Sequence, residues 1–207
     1  MGRPVSVFLI LCYTVFMDRR LFISALAASP LAGPLYAATM GDDGLHKQDW
    51  FYDSFFEMPD DLADATSEGK DLLVLFEQRG CPYCAELHEI NFARTQITDY
   101  ITQNFLVVQM DMFGAREVVD FDGEALEERE IAAKWGVNFT PTTLIFSQDA
   151  AAEKAEIFRL PGYLRPFHYL ASLEYAALDI YKEKSFQRYL QDKFATMEEQ
   201  GIKPDVW

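Results

Sequence analysis

An apolar run that stops at a glycine and opens on two closely spaced cysteines leaves few folds available. Leu72-Leu73-Val74-Leu75-Phe76 is continuous enough to be a strand buried on both faces, and it is followed by Arg79-Gly80 and then Cys81-Pro82-Tyr83-Cys84. Proline suits a first helical turn because its missing N–H would be unbonded there anyway. The pattern therefore predicts strand, turn and helix, with Cys81 at the helix start. A thiol in that place meets unpaired backbone N–H groups and the positive end of the helix dipole, which favour thiolate over thiol. Such placement brings a thiol from about 8.5 into the region of roughly 3.5–7.5. Cys81 is thus the predicted nucleophile, and Cys84, one turn further in, the resolving thiol. A zinc site would need further Cys or His ligands at suitable spacing. There is no second cysteine pair, and the nearest histidine, His88, would share the same helix.

Length and charge narrow the class. The chain has 207 residues, half of them apolar and 14% aromatic, enough for one domain with a sizeable core. A formal net charge of −15 leaves no basic surface to neutralise phosphates, so no nucleic-acid partner is expected. Residues 1–38 read as a cleaved signal peptide behind an upstream extension. Met17-Asp18-Arg19-Arg20 forms the basic start, Leu21 to Ala28 the apolar stretch, and small residues lead to a cleavage site near Ala37/Ala38. Neither apolar run reaches the roughly 20 residues of a spanning helix. The expectation is export to the periplasm with no stable membrane insertion after cleavage. Of three cysteines, Cys12 falls in this segment, so Cys81 and Cys84 are the only thiols expected in the mature protein. A bridge closing so short a loop adds little chain-entropy stabilisation, which points to reactivity rather than a disulfide framework.

Along the chain, residues 39–49 are polar and read as a loose mature N-terminus. Trp50-Phe51-Tyr52 and Phe55-Phe56 read as packing aromatics. A helix is predicted from Met58 to near Gly69, strands at Asp71 to Glu77 and Phe105 to Asp111, and helices after Cys81 and after Thr95. The acidic stretch 113–128 lacks a clear period and reads as an exposed insertion. A helix from about Glu127 to Trp135 ends at Gly136. A proline-entered strand covers Phe139 to Phe146, with an antiparallel neighbour at Glu156 to Leu160 reached through a polar turn at 148–153. Helices at Pro166 to about Tyr181 and Ser185 to Met197 complete the chain. This order predicts an α/β fold with a mixed central sheet flanked by helices.

The arrangement resembles the thioredoxin fold, carried by the strand, Gly80-Cys81-Pro82-Tyr83-Cys84, the helix, and Thr140-Pro141-Thr142 before a later strand. More narrowly, the run Phe76 to His88 with Asn91-Phe92-Ala93 resembles the SoxW family, periplasmic thioredoxins encoded with bacterial sulfur-oxidation genes. The fold-level resemblance covers about residues 50–182, within a single domain of 39–207, with 183–207 a C-terminal helical extension. It implies that Pro141 is a cis-proline facing the disulfide, and that Thr140 and Pro141 offer backbone groups to a substrate strand. Thioredoxins place a buried Asp six residues before the first cysteine. Here that position is Leu75, and Glu77, on the same strand face, is the candidate proton-handling carboxylate; pairing with Arg79 or solvent is the competing reading. Pro82-Tyr83 also occurs in glutaredoxins, so it leaves the direction of electron flow open. His88, four residues after Cys84 and seven after Cys81, has two readings, an approach to the site along one helix face and, as the leading expectation, a surface position; Tyr83 is expected exposed beside Cys81, and His168 and Trp135 in packing roles.

The resemblance implies a periplasmic thiol:disulfide oxidoreductase that reduces protein disulfides and needs no cofactor or metal. Its partners would be the sulfur-carrier protein of the thiosulfate-oxidising Sox system and a membrane electron donor of the CcdA type. Two other readings stay open at this stage: an oxidant or isomerase on the same fold, and a non-catalytic binding domain with Cys81–Cys84 as a structural clip.

Overall fold

Two buried runs of seven residues pair in parallel in the main sheet. A computed structural model describes residues 39–148 and 156–203. The segment 1–38, with Cys12 and the expected cleavage site, lies outside them, as do most of the predicted turn at 148–153 and the last residues of the C-terminal extension.

Ten elements precede the cis-proline: strands β1 (Thr39–Met40) and β2 (His46–Lys47), helix α1 (Met58–Ser67), strand β3 (Asp71–Glu77), helix α2 (Pro82–Glu86), helix α3 (Thr95–Asn104), strands β4 (Phe105–Asp111), β5 (Glu117–Val119) and β6 (Ala125–Glu127), and helix α4 (Glu128–Lys134). A π-helical turn, Leu87–Asn91, continues α2. After it come β7 (Thr142–Phe146), β8 (Glu156–Pro161), α5 (Pro166–Ala177) and α6 (Phe186–Glu199), with a 3₁₀ turn at Ile180–Lys182 between the last two.

The main sheet runs β4-β3-β7-β8. β3 pairs in parallel with β4, from Asp71 opposite Phe105 to Glu77 opposite Asp111, and antiparallel with β7. The parallel pair requires a long crossover, and α2 to α3 supplies it. β3 is central, so both its faces are covered, which is why it reads as an uninterrupted apolar run. Alternation then sorts its side chains. Leu72, Val74 and Phe76 enter one core with Met58, Val108, Met110 and Ile131, while Leu73 and Leu75 enter the other with Leu87, Phe92, Ile101 and Leu173. Glu77 continues the second set and so points beneath α2.

Three expectations are corrected. Residues 39–49 are not loose: β1 and β2 form a hairpin, Leu45 is buried, and Gln48 is buried as well. The acidic segment 113–128 is not an exposed insertion. It folds as the β5–β6 hairpin, with Val118 in the core and Asp120 and Glu128 buried. Glu128 ion-pairs with Arg116 and accepts the Asp111 N–H at 2.9 Å, while Asp120 accepts Trp135 Nε1–H at 3.1 Å. Each buried carboxylate thus has partners, as burial demands. The helix expected to reach Tyr181 ends at Ala177, and Asp179 turns the chain with φ of 56°. The other predicted strands and helices lie within a few residues of their expected limits.

Trp135 packs between Phe76, Phe121 and Phe146, and His168 against Phe167 and Phe194, so both are packing residues as expected. Among the described residues no helix is long and apolar enough to cross a membrane.

Candidate active site

β3 ends at Glu77, and the chain turns through Gly80, whose φ of 68° is a conformation that favours glycine. Cys81 follows as the N-cap of α2. Its Sγ accepts the Cys84 N–H at 3.1 Å, the kind of contact that satisfies an otherwise orphaned helix-start donor. Cys81 and Cys84 are joined as a disulfide with Cα atoms 5.2 Å apart, inside the range such bonds require. Cys81 is 5% exposed and Cys84 only 1%, so the outer sulfur is the one an incoming group can meet.

The Thr140–Pro141 peptide is cis. It precedes β7, which pairs with β3, and so returns to the disulfide: Thr140 Oγ1–H donates to Cys81 Sγ at 3.4 Å, and the Thr140 carbonyl lies 3.5 Å from the same sulfur. Pro141 is buried, and its carbonyl accepts the Gly162 N–H at 2.8 Å. Thr140 rather than Pro141 therefore presents polar groups beside the reactive sulfur. Tyr83 is exposed, as expected, and its ring stacks on Tyr163 at 6.3 Å. Burial raises the Tyr163 phenol above its ordinary range. Its hydroxyl donates to Asn91 Oδ1 at 3.2 Å, and Asn91 donates to the Leu164 carbonyl at 2.9 Å, tying the π-helical turn to the loop before α5.

Glu77 is fully buried, and its partner is not Arg79, which donates to the Asp43 carbonyl at 3.0 and 3.2 Å. Glu77 instead faces His88 Nε2 at 3.1 and 3.2 Å and accepts from Gln109 Nε2. His88 is therefore not a surface residue; it is 1% exposed. Its Nδ1 meets Gln48 Nε2 at 3.1 Å, and its ring packs against His46, Phe51 and Phe92. Gln109 also donates to the His46 carbonyl and accepts from Lys47 Nζ at 2.6 Å. Sequence reasoning missed Gln48, Gln109 and Asn91. For Gln109 a signal existed: an amide within an otherwise apolar buried strand must find a partner.

Chemically, the arrangement holds an outer sulfur beside a hydroxyl and a carbonyl, a shielded second sulfur one turn away, and a buried carboxylate, Glu77, in contact with His88 one turn beyond the second sulfur. Among the described residues no group of three or more His, Cys, Asp or Glu could hold a metal ion.

The sequence model of a thioredoxin-like domain family matches residues 58–177. No curated protein matches the chain. Among solved structures, a thioredoxin-fold protein from Helicobacter pylori is similar at 22% identity, over 61% of this chain and 86% of that one, with a TM-score of 0.52. A thioredoxin from Thermus thermophilus is similar at 23% identity, over 58% of this chain and 84% of that one, with a TM-score of 0.46.

Proposed function

Since the chain belongs to the thioredoxin-like domain family, we propose that it is an exported thiol:disulfide oxidoreductase that reduces protein disulfides. The observation that carries this is the Cys81–Cys84 pair at a helix start, with Thr140 and cis-Pro141 against the outer sulfur. In the dithiol form, the Cys81 thiolate attacks a substrate disulfide. One substrate sulfur leaves with the electron pair, and the other is held as a mixed disulfide on Cys81. Cys84 then gives up its proton and attacks Cys81 Sγ; the mixed disulfide breaks and the second substrate thiolate departs. Two electrons pass to the substrate and the protein is left as the disulfide. Glu77, fully buried at the end of β3, is the group proposed to take the proton of Cys84.

The signal-like segment ending near Ala37/Ala38 supports a periplasmic location, and the run Phe76 to His88 supports a SoxW-like role. In that role the sulfur-carrier protein of the Sox system is the substrate and a CcdA-type membrane protein the electron donor. Absence of the protein from the periplasmic fraction would remove the export reading, and an N-terminus elsewhere than near residue 38 would remove the cleavage site. The redox reading is tested by insulin reduction with the wild type and Cys81→Ser. Loss of activity in the variant is expected, and equal activity in both overturns the assignment. A reduction potential near about −270 mV fits the reductant, whereas about −120 mV would make the protein an oxidant.

A further inference from the structure

We propose that His88 is a positioning residue of the redox reaction: it holds the proton state of Glu77, and Gln48 provides the means of switching it. This rests on the oxidoreductase reading above and names a residue that reading does not use. His88 lies one helical turn after Cys84, on the inward side of the chain where α2 passes into the π-helical turn. Such wide turns occur often at functional sites. Both ring nitrogens are engaged on buried polar groups, Nε2 on the Glu77 carboxylate and Nδ1 on the Gln48 amide.

The Gln48 amide carries the argument. With its NH₂ donating, Nδ1 is an acceptor, and the imidazole is neutral with Nε2–H directed at Glu77. That leaves Gln48 Oε1 buried with no partner, a state that costs free energy. A half-turn of the amide exchanges its donor for its acceptor without moving any other heavy atom. Oε1 then accepts from Nδ1–H of an imidazolium, and the cation faces a carboxylate across Nε2. The same cage therefore accommodates two protonation states. The proton released by Cys84 as it breaks the mixed disulfide is held on the Glu77–His88 pair until solvent removes it. No further redox partner is needed, because the two electrons go from the dithiol to the substrate disulfide.

Other charged and titratable groups surround this pair. His46 lies beside the His88 ring at 5.2 Å. Lys47, paired with Asp43, reaches the network through Gln109. Arg116 donates to the Gln109 carbonyl, Asp111 is the strand partner of Glu77, and Tyr169 is buried on the same side of the sheet. The Lys47 and Arg116 charges are each answered by an acid, Asp43 and Glu128, which leaves His88 as the side chain in direct contact with the Glu77 carboxylate that can offset its charge.

The test is single-turnover oxidation of the reduced full chain by a disulfide-bridged peptide, followed from pH 5 to 9. The wild-type rate profile is expected to contain a break that His88→Gln loses, with that variant about ten-fold slower near neutral pH. Gln48→Glu fixes an acceptor on Nδ1, and its break is expected to move to higher pH. A His88→Gln profile parallel to wild type at every pH, or an unmoved break in Gln48→Glu, overturns the proposal. Should His88→Gln fail to fold, ¹⁵N NMR of the wild-type imidazole decides: its titration must differ between disulfide and dithiol forms, and identical curves overturn the proposal. Full activity in Cys81→Ser would instead remove the oxidoreductase reading itself.

Discussion

Asp61 sits in the first turn of α1, where an acid is ordinarily stabilising because the helix dipole favours negative charge. Here burial works against it. The residue is 4% exposed, and burial, with Asp64, Asp60 and Glu57 nearby, pushes its carboxyl up to about 6, although Ser54 Oγ–H donates to it at 2.6 Å. In the unfolded chain an aspartate titrates near 3.9. The native state thus binds this proton more tightly. The associated stability is fully present below about pH 4 and is lost as pH rises through about 6. Asp61→Asn keeps an acceptor for Ser54 and removes the buried charge. Urea unfolding should show it more stable than wild type at pH 7.5 by about 1 kcal/mol, with solvent screening taking up the rest of the burial penalty. The difference should vanish at pH 4; an equal difference at both values would show that charge is not the cause.

At the scale of elements, the β5–β6 hairpin depends on one buried acid. Glu128 accepts from the N–H groups of Asp111 and Arg116 and pairs with the Arg116 guanidinium, so it joins the end of β4 to the hairpin and to α4. Glu128→Ala leaves those donors without their acceptor and should cost about 2–3 kcal/mol in urea unfolding. Glu128→Gln, which keeps an acceptor, should cost less; equal losses would contradict this account. The same hairpin shows what can be read from sequence. β3 and β4 were legible to the residue because each carries a mostly apolar run in which six of seven residues are buried. The strands of the hairpin are three residues long, and Val118 is the one fully buried side chain between them, so no period can show. His88 failed for a different reason. Its neighbours on the helix, Glu89 and Ile90, are exposed, and its burial is set by Glu77, Gln48 and Phe51, which come from other parts of the chain. The cysteines, the proline beside them and Tyr83 were legible because their chemistry is local.

For the molecule as a whole, the formal charge of −15 bears on which disulfides are reached first. A net negative surface steers positively charged partners toward encounter and slows negatively charged ones, and salt screens both effects. Second-order rates for a basic and an acidic disulfide peptide of equal length should therefore differ at low ionic strength by about ten-fold in favour of the basic one. The two should converge in 0.5 M salt. Rates that differ equally at both salt concentrations would show that the preference arises from contacts at Tyr83 and Thr140 instead. The fold accounts for the site at this scale too. β3 places Glu77 at its end, β7 returns Thr140 to the outer sulfur, and the crossover from β3 to β4 carries both cysteines.

The Gln48–His88 contact draws a boundary. The stretch that identifies the family begins at residue 58, yet Gln48, His46, Trp50 and Phe51 form one wall of the chamber around His88 and Phe92. A protein trimmed to the recognisable stretch would keep both sulfurs and the cis-proline but open the space beneath them to water. The wall of that chamber in this chain is therefore built in part from residues that precede the stretch by which the family is recognised.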